Sequence, residues 1–249
     1  MSKFYNLKIK EHKNGETQFA IYKNSIAYDI QKRDGGIRGQ ARYPKHSLYT
    51  SLQRTKTQII DLAKNNKWEL FITITFDKEK VDRYNYTAVA KRFSKLLNNI
   101  KCRKCPELKY ILVPELHKDG AVHFHGLLSG SDSLELVDTG LKTQKGQNIY
   151  NILDFNLGFS TATTITDTKK ASYYISKYIT KELVAVSFNK KRFWRSRGLE
   201  LPKTTIDYID NEKDTMQLVS TLEKNSNSKK TVVLAKNELE IQQIKYFYM

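Results

Sequence analysis

AVHFHGLL, residues 121–128, reads as a β-strand carrying two histidines. Successive side chains of a strand point to opposite faces, so His123 and His125 project together while Phe124 turns the other way, toward a core. Just before it, HKDG (117–120) closes a tight hairpin with Asp119-Gly120 at its tip, which makes KYILVPEL (109–116) the antiparallel neighbour. WELFITITF (68–76) is a further strand, with Thr73 and Thr75 on one face and Ile72, Ile74 and Phe76 on the other. Between them, residues 84–100 place Tyr86, Val89, Ala90, Phe93, Leu96, Leu97 and Ile100 on one face of a helix. After a polar excursion (129–150), GFSTATTI (158–165) is a strand, ASYYISKYITKEL (171–183) a helix and KKRFWRSRG (190–198) a last strand. The order β-α-β-β-(β)-α-β predicts an α+β domain: a central antiparallel sheet of about five strands with helices on one face, close to the ferredoxin-like arrangement.

Upstream, Leu48, Leu52, Thr55, Ile59, Leu62 and Ala63 fall at helical spacing behind Ser47, a candidate N-cap. Residues 1–30 alternate in short stretches around Asn14-Gly15, as a small hairpin or meander, and GGIRGQARYPK links them to the helix. The last 45 or so residues are polar and then mixed apolar and aromatic, with no decisive period. The predicted division is therefore a β-rich, basic extension over 1–46, a main domain over 47–202 and a C-terminal extension over 203–249.

Lys and Arg total 43 against 26 for Asp and Glu, a formal charge of +17. A surplus of that size points to a polyanionic partner, of which nucleic acid is the commonest, although a Lys-rich surface also serves solubility. Cys102 and Cys105 form a CxxC without a second pair, which suits two reduced thiols better than a zinc site completed by His117, His123 or His125. No apolar run approaches the ~20 residues that span a bilayer, and the N-terminus lacks a signal-peptide core, so a soluble intracellular protein is expected.

Two neutral imidazoles on one strand face can grip a divalent metal, and the hairpin returns Glu115 beside them as a third ligand; His117 is an alternative nearer the turn. Such a set accepts Mg, Mn or Zn and polarises a phosphate oxygen, but an H-x-H alone also fits two ordinary strand histidines. In YISKYITK, Tyr174, Lys177, Tyr178 and Lys181 share one helical stripe, and Ile175, Ile179 and Ala171 form a packing stripe beside it. A phenol with a free pKa of about 10 needs nearby positive charge or an activated phosphate to act as a nucleophile. The same stripe also fits amphipathic packing. Arg192, Trp194, Arg195 and Arg197 mix basic and aromatic groups as a single strand of nucleic acid requires, and equally suit the surface of a basic protein. Thr73 and Thr75 form the polar side of the central strand and join them as candidate DNA contacts.

In order and spacing, FITITF, HFHGLL and YYISKYITK resemble the three motifs of the HUH endonucleases, in particular the rolling-circle replication initiators of phages and plasmids. The resemblance spans roughly 68–202. It implies a central antiparallel sheet bearing the metal site with the tyrosine helix across it, His123, His125 and Glu115 as ligands of Mg2+ or Mn2+, and Tyr174 and Tyr178 as nucleophiles. The Y-x-x-x-Y form is similar to two-tyrosine phage initiators and transposases. Tyr174/Lys177 and Tyr178/Lys181 each also satisfy the Y-x-x-K of single-tyrosine initiators. The stretch from Ser196-Arg197-Gly198 to Leu199-Glu200-Leu201-Pro202 is similar to phage-type replication proteins.

The implied activity is nicking of single-stranded origin DNA or an origin hairpin, leaving a 5′-phosphotyrosine and a free 3′-OH, in the cytoplasm of a bacterial host. Residues after 202 are too few for a helicase domain, so a host helicase and polymerase are the expected partners, with no membrane. A two-tyrosine transposase or a relaxase would use the same chemistry, although relaxases usually place the tyrosine before the histidines. A DNA-binding regulator without catalysis is the alternative from another class.

Overall fold

The computed structural model of the protein describes residues 4–27, 44–180, 191–235 and 241–249. The chain is α+β and divides into two compact units, residues 1–44 with 201–249 and residues 45–200.

The first unit is a five-stranded antiparallel sheet. Strands β1 (Phe4–Glu11) and β2 (Thr17–Ala27) form the hairpin expected around Asn14-Gly15, where Gly15 takes φ +85° and Asn14 Oδ1 accepts the Glu16 N–H. The other three strands come from the C-terminal stretch, and they pair with the N-terminal ones.

In the second unit, α1 (Pro44–Asn65) begins three residues before Ser47 and buries Leu52, Ile59, Leu62 and Ala63. It leads into β3 (Leu70–Phe76), whose alternating Ile and Thr residues give a strand with Ile72, Ile74 and Phe76 fully buried on one face. Helix α2 (Tyr86–Arg103) is capped by Asn85, whose Oδ1 accepts the Thr87 and Ala88 N–H groups. Its Phe93 packs on that face, with ring centroids 5.5 Å from Phe76 and 4.8 Å from Phe124.

Strands β4 (Lys109–Leu116) and β5 (Val122–Ser129) are the histidine hairpin. Gly126 lets them close on β3, because a Cβ there would run into Leu112 and the Ile111 carbonyl. Strands β6 (Leu136–Lys142), β7 (Asn148–Ile152) and β8 (Gly158–Thr164) extend the other side, and after α3 (Thr168–Ser176) a two-residue β9 (Trp194–Arg195) closes the far edge.

The sheet order is β6-β7-β8-β3-β5-β4-β9, antiparallel at every pairing, with β3 between β8 and β5 near the centre. Seven strands replace the expected five or so because β6 and β7 come from the polar excursion. As an outer hairpin, β6 is almost wholly exposed and carries no period-2 burial pattern. Helices also cover both faces rather than one: α2 packs on the Phe76/Phe124 face, whereas α3 lies over the Phe71/His125 face. The final strand is shorter than the expected 190–198, and α3 ends at Ser176, with Lys177 and Tyr178 in a turn. Residues 181–183 of the expected helix lie outside the described residues.

The C-terminal extension supplies β10 (Lys203–Asp207), α4 (Glu212–Asn225), β11 (Ser228–Ala235) and β12 (Ile241–Tyr248). β10 pairs with β1, and β12 pairs with β2, giving the order β10-β1-β2-β12-β11. Leu222 of α4 packs with Leu7, Ile21 and Phe247. The segments expected as separate extensions thus share one sheet and one small core.

Candidate active site

The β3–β5–β4 registry assembles the site. Thr73 pairs with His125, Thr75 with His123, and His123 in turn with Glu115, so all five project from one face. Thr73 Oγ1 lies 3.0 Å from His125 Nδ1, and Thr75 Oγ1 lies 3.2 Å from His123 Nδ1. Both hydroxyls, grouped from the sequence with DNA contacts, are thereby occupied in orienting the two rings. With each Nδ1 taken, each Nε2 is the nitrogen left for further chemistry.

His125 Nε2 lies 2.7 Å from Glu115 Oε2. His117 stacks on His123 at 5.1 Å, and its Nδ1 lies 3.2 Å from Asp119 Oδ1 at the hairpin tip. Burial holds both site imidazoles below the ordinary histidine pKa. The effect is reinforced at His123 by neighbouring His117 and opposed at His125 by the Glu115 carboxylate.

Helix α3 begins at Asp167, whose carboxylate accepts the Lys170 N–H, and buries Ser172 and Ile175. Its C-terminal end brings the two tyrosines onto the histidine face. The Tyr178 ring stacks on His125 with centroids 3.7 Å apart and planes 10° from parallel. Tyr174 meets Tyr178 edge-on at 5.6 Å and Phe71 at 5.3 Å, and Lys177 Nζ lies 5.2 Å from the centre of the Tyr174 ring. The phenols differ in setting. Tyr174 is 46% exposed, whereas burial, a hydrogen bond with Tyr174 and the Glu115 charge push the Tyr178 pKa well above its usual value. Lys181 lies outside the described residues.

The remaining sequence candidates separate. Trp194 is only 6% exposed, packs on Phe124 at 4.7 Å and donates its Nε1–H to Ser94 Oγ, so it is a core residue of the α2 face rather than a base-stacking platform. The Arg/Trp spacing could not reveal this, because an aromatic in a two-residue edge strand has no period to place it. Arg192 is turned onto α1, where it donates to Ser51 Oγ. Arg195 is exposed, and its pairing with Ile111 puts it on the histidine face; Arg197 is exposed beyond the strand. Phe71, beneath Tyr174, is a site residue that the sequence reading passed over, although its parity with Thr73 and Thr75 puts it on their face. Tyr173 is another, its hydroxyl accepting from Lys64 Nζ of α1 at 2.7 Å.

Two imidazoles and a carboxylate are a donor set suited to Mn2+ or Mg2+, and the threonine–Nδ1 contacts are the orientation that metal-ligating histidines require. The donors are not gathered into a finished cage: among the described residues no group of three His, Cys, Asp or Glu side chains is arranged around a common point. The Glu115–His125 contact takes the place a cation would occupy. Moving the His125 proton to Nδ1, where Thr73 Oγ accepts it, frees Nε2. The CxxC forms no zinc site among the described residues; Cys102 is exposed, and buried Cys105 hydrogen-bonds through Sγ to the Gly130 carbonyl. No described helix is long and apolar enough to cross a membrane.

No curated protein and no solved structure gives a significant match to the chain. Residues 69–183, from the residue before β3 through the histidine strand and the tyrosine helix, match a family model, that of the replication-associated proteins typified by ORF2 and the phage gene II protein. Over that span the chain belongs to this ORF2/gene II replication-associated protein family.

Proposed function

We propose that the protein initiates replication by nicking single-stranded DNA through tyrosine transesterification. The observation that carries the reading is the seating of the tyrosine pair on the histidine pair, with Tyr178 stacked on His125 at 3.7 Å and Tyr174 open to solvent beside it. A structural pair of aromatics would not need both phenols beside two imidazoles and a carboxylate.

His123, His125 and Glu115 would hold the divalent metal, which when bound polarises the scissile phosphate and stabilises the charge that develops on it. The Tyr174 oxygen attacks phosphorus, the Tyr–O–P bond forms, and the P–O3′ bond breaks. The phenolic proton leaves as the bond forms, and the departing O3′ takes a proton, giving a 5′-phosphotyrosine and a free 3′-OH able to prime synthesis. Lys177 supplies positive charge beside the attacking phenol. Tyr178, held against His125, is the second phenol, placed to cut a regenerated junction.

The test is a denaturation-resistant adduct between the protein and labelled single-stranded DNA, formed with Mn2+ or Mg2+ and absent with EDTA. Tyr174→Phe removes most of it, and the Tyr174→Phe/Tyr178→Phe double variant removes all. Salt-sensitive binding with no adduct on any sequence of a random pool would instead favour a DNA-binding regulator.

A further inference from the structure

Beyond the Tyr174 ring, on the side away from His125, the sheet face continues as an open groove of about 850 Å3. Its floor is Phe71 and Thr163, which are paired partners on β3 and β8, so both rise from the face that bears the histidines. One wall is α3, contributing Tyr173, Lys170 and Lys177; the other is the turn between β6 and β7, contributing Lys145 and Gln147.

That turn is held in place. Thr143 and Gln147 exchange backbone contacts across it, Gly146 takes φ +79°, and Gln147 Nε2 donates to the Thr164 carbonyl of β8 at 3.1 Å. Exposed Lys145 therefore stands at a fixed wall rather than on a loose tip. The single carboxylate of the lining, Asp167, is already engaged by the Lys170 ammonium at 2.8 Å and by the α3 cap. Two walls of lysine over an aromatic and threonine floor suit a strand whose phosphates seek charge and whose bases seek a flat apolar partner.

We infer that this groove binds the nucleotides on the 3′ side of the scissile phosphate, holding the strand that remains bonded to tyrosine after the nick. The inference rests on the nicking reading above. Attack on phosphorus places the entering and leaving oxygens roughly in line. Along β3 the order is Thr75 and Thr73, which carry the two histidines, and then Phe71 beneath Tyr174, with the groove beyond. The departing O3′ and its 5′ flank thus lie toward the histidines, opposite the phenol. The 3′ flank, joined through O5′, is the part free to run over the tyrosine side into the groove. Its volume lies within the roughly 300–1,000 Å3 of clefts that take a ligand, room for a short run of nucleotides. Held there, the 3′ flank stays in register while the other strand end is extended.

The test uses the full chain and a fluorescent random-sequence single-stranded oligonucleotide in EDTA, so that binding is read without cleavage. Lys145→Ala/Lys170→Ala is expected to weaken binding on the order of tenfold at low salt and to lower the slope of log K against log salt by about 1.4, two phosphate contacts' worth. The exposed pair Lys91→Ala/Lys95→Ala on α2 should leave the slope nearly unchanged. An unchanged slope in the groove variant, or an equal drop in both pairs, overturns the proposal.

In parallel, the covalent adduct is trimmed with a single-strand 3′-exonuclease and the DNA left on the protein is sized. A protected stub that shortens in the groove variant places the 3′ flank in the groove, and a stub of equal length contradicts it. Loss of slope without any adduct would leave a DNA groove but remove the nicking reading. An adduct with wild-type slope and stub would remove the groove alone.

Discussion

Replacing Thr73 and Thr75 by valine isolates what the two hydroxyls do. Valine keeps the β-branched shape that suits β3 and removes only the oxygens 3.0 and 3.2 Å from His125 Nδ1 and His123 Nδ1. Each bond is a neutral one worth about 0.5–1.5 kcal/mol, partly offset by the good fit of valine to a strand, so the melting temperature should move little. Function should move more, because both rings lose the partner that fixes their tautomer and aim. Such partners typically carry 10–100-fold in metal affinity, about 1.4–2.7 kcal/mol. Calorimetric titration of Mn2+ into the wild type and the double variant reads this directly, with single-stranded DNA binding in EDTA measured alongside. The account predicts weaker Mn2+ binding with unchanged DNA binding. Equal Mn2+ affinity, or a DNA-binding defect without metal, would refute the orienting role and return the threonines to the DNA surface.

Two further outcomes follow from the site and the core. Trp194→Phe should cost about 1–3 kcal/mol in chemical denaturation while leaving the salt dependence of DNA binding unchanged, since the indole is buried against Phe124; a lowered slope without loss of stability would put it back at the DNA surface. The apo-protein should lose stability as the pH falls below about 6.5, the free histidine value. With the folded pKa of His123 and His125 depressed, the unfolded chain binds more protons in that window, so acid favours unfolding and the contribution is fully present above it. His123→Asn/His125→Asn should flatten that part of the stability–pH curve, and an unaltered curve would show that burial of these rings does not govern it.

The features legible in the sequence are those written in a local period. The 121–128 strand, its hairpin partner, FITITF and the α2 stripe each carry a two- or four-residue rhythm that a core imposes, and their pairing follows from short turns. The placement of Glu115 opposite His123 needs only the HKDG turn. Three things required coordinates. β1 meets β10, and β2 meets β12, across roughly two hundred residues, with no local signal for either pairing. β6 and β7 have little buried side and hence no alternation to detect. The threonine hydroxyls read as open polar groups because only registry with β5 shows an imidazole beside each. Trp194 misled for the converse reason: flanked by Phe193, Arg192, Arg195 and Arg197 it resembles a nucleic-acid surface, while a single pairing with Leu112 turns it inward.

The most direct test of the central claim is to trap the protein on single-stranded DNA with Mn2+, digest the DNA and the polypeptide, and identify the modified peptide by mass spectrometry. The account predicts a nucleotide joined through its 5′-phosphate to a peptide containing Tyr174, formed only with the metal and moved to Tyr178 or lost in Tyr174→Phe. A linkage on any other side chain, or the same yield in EDTA, would contradict it.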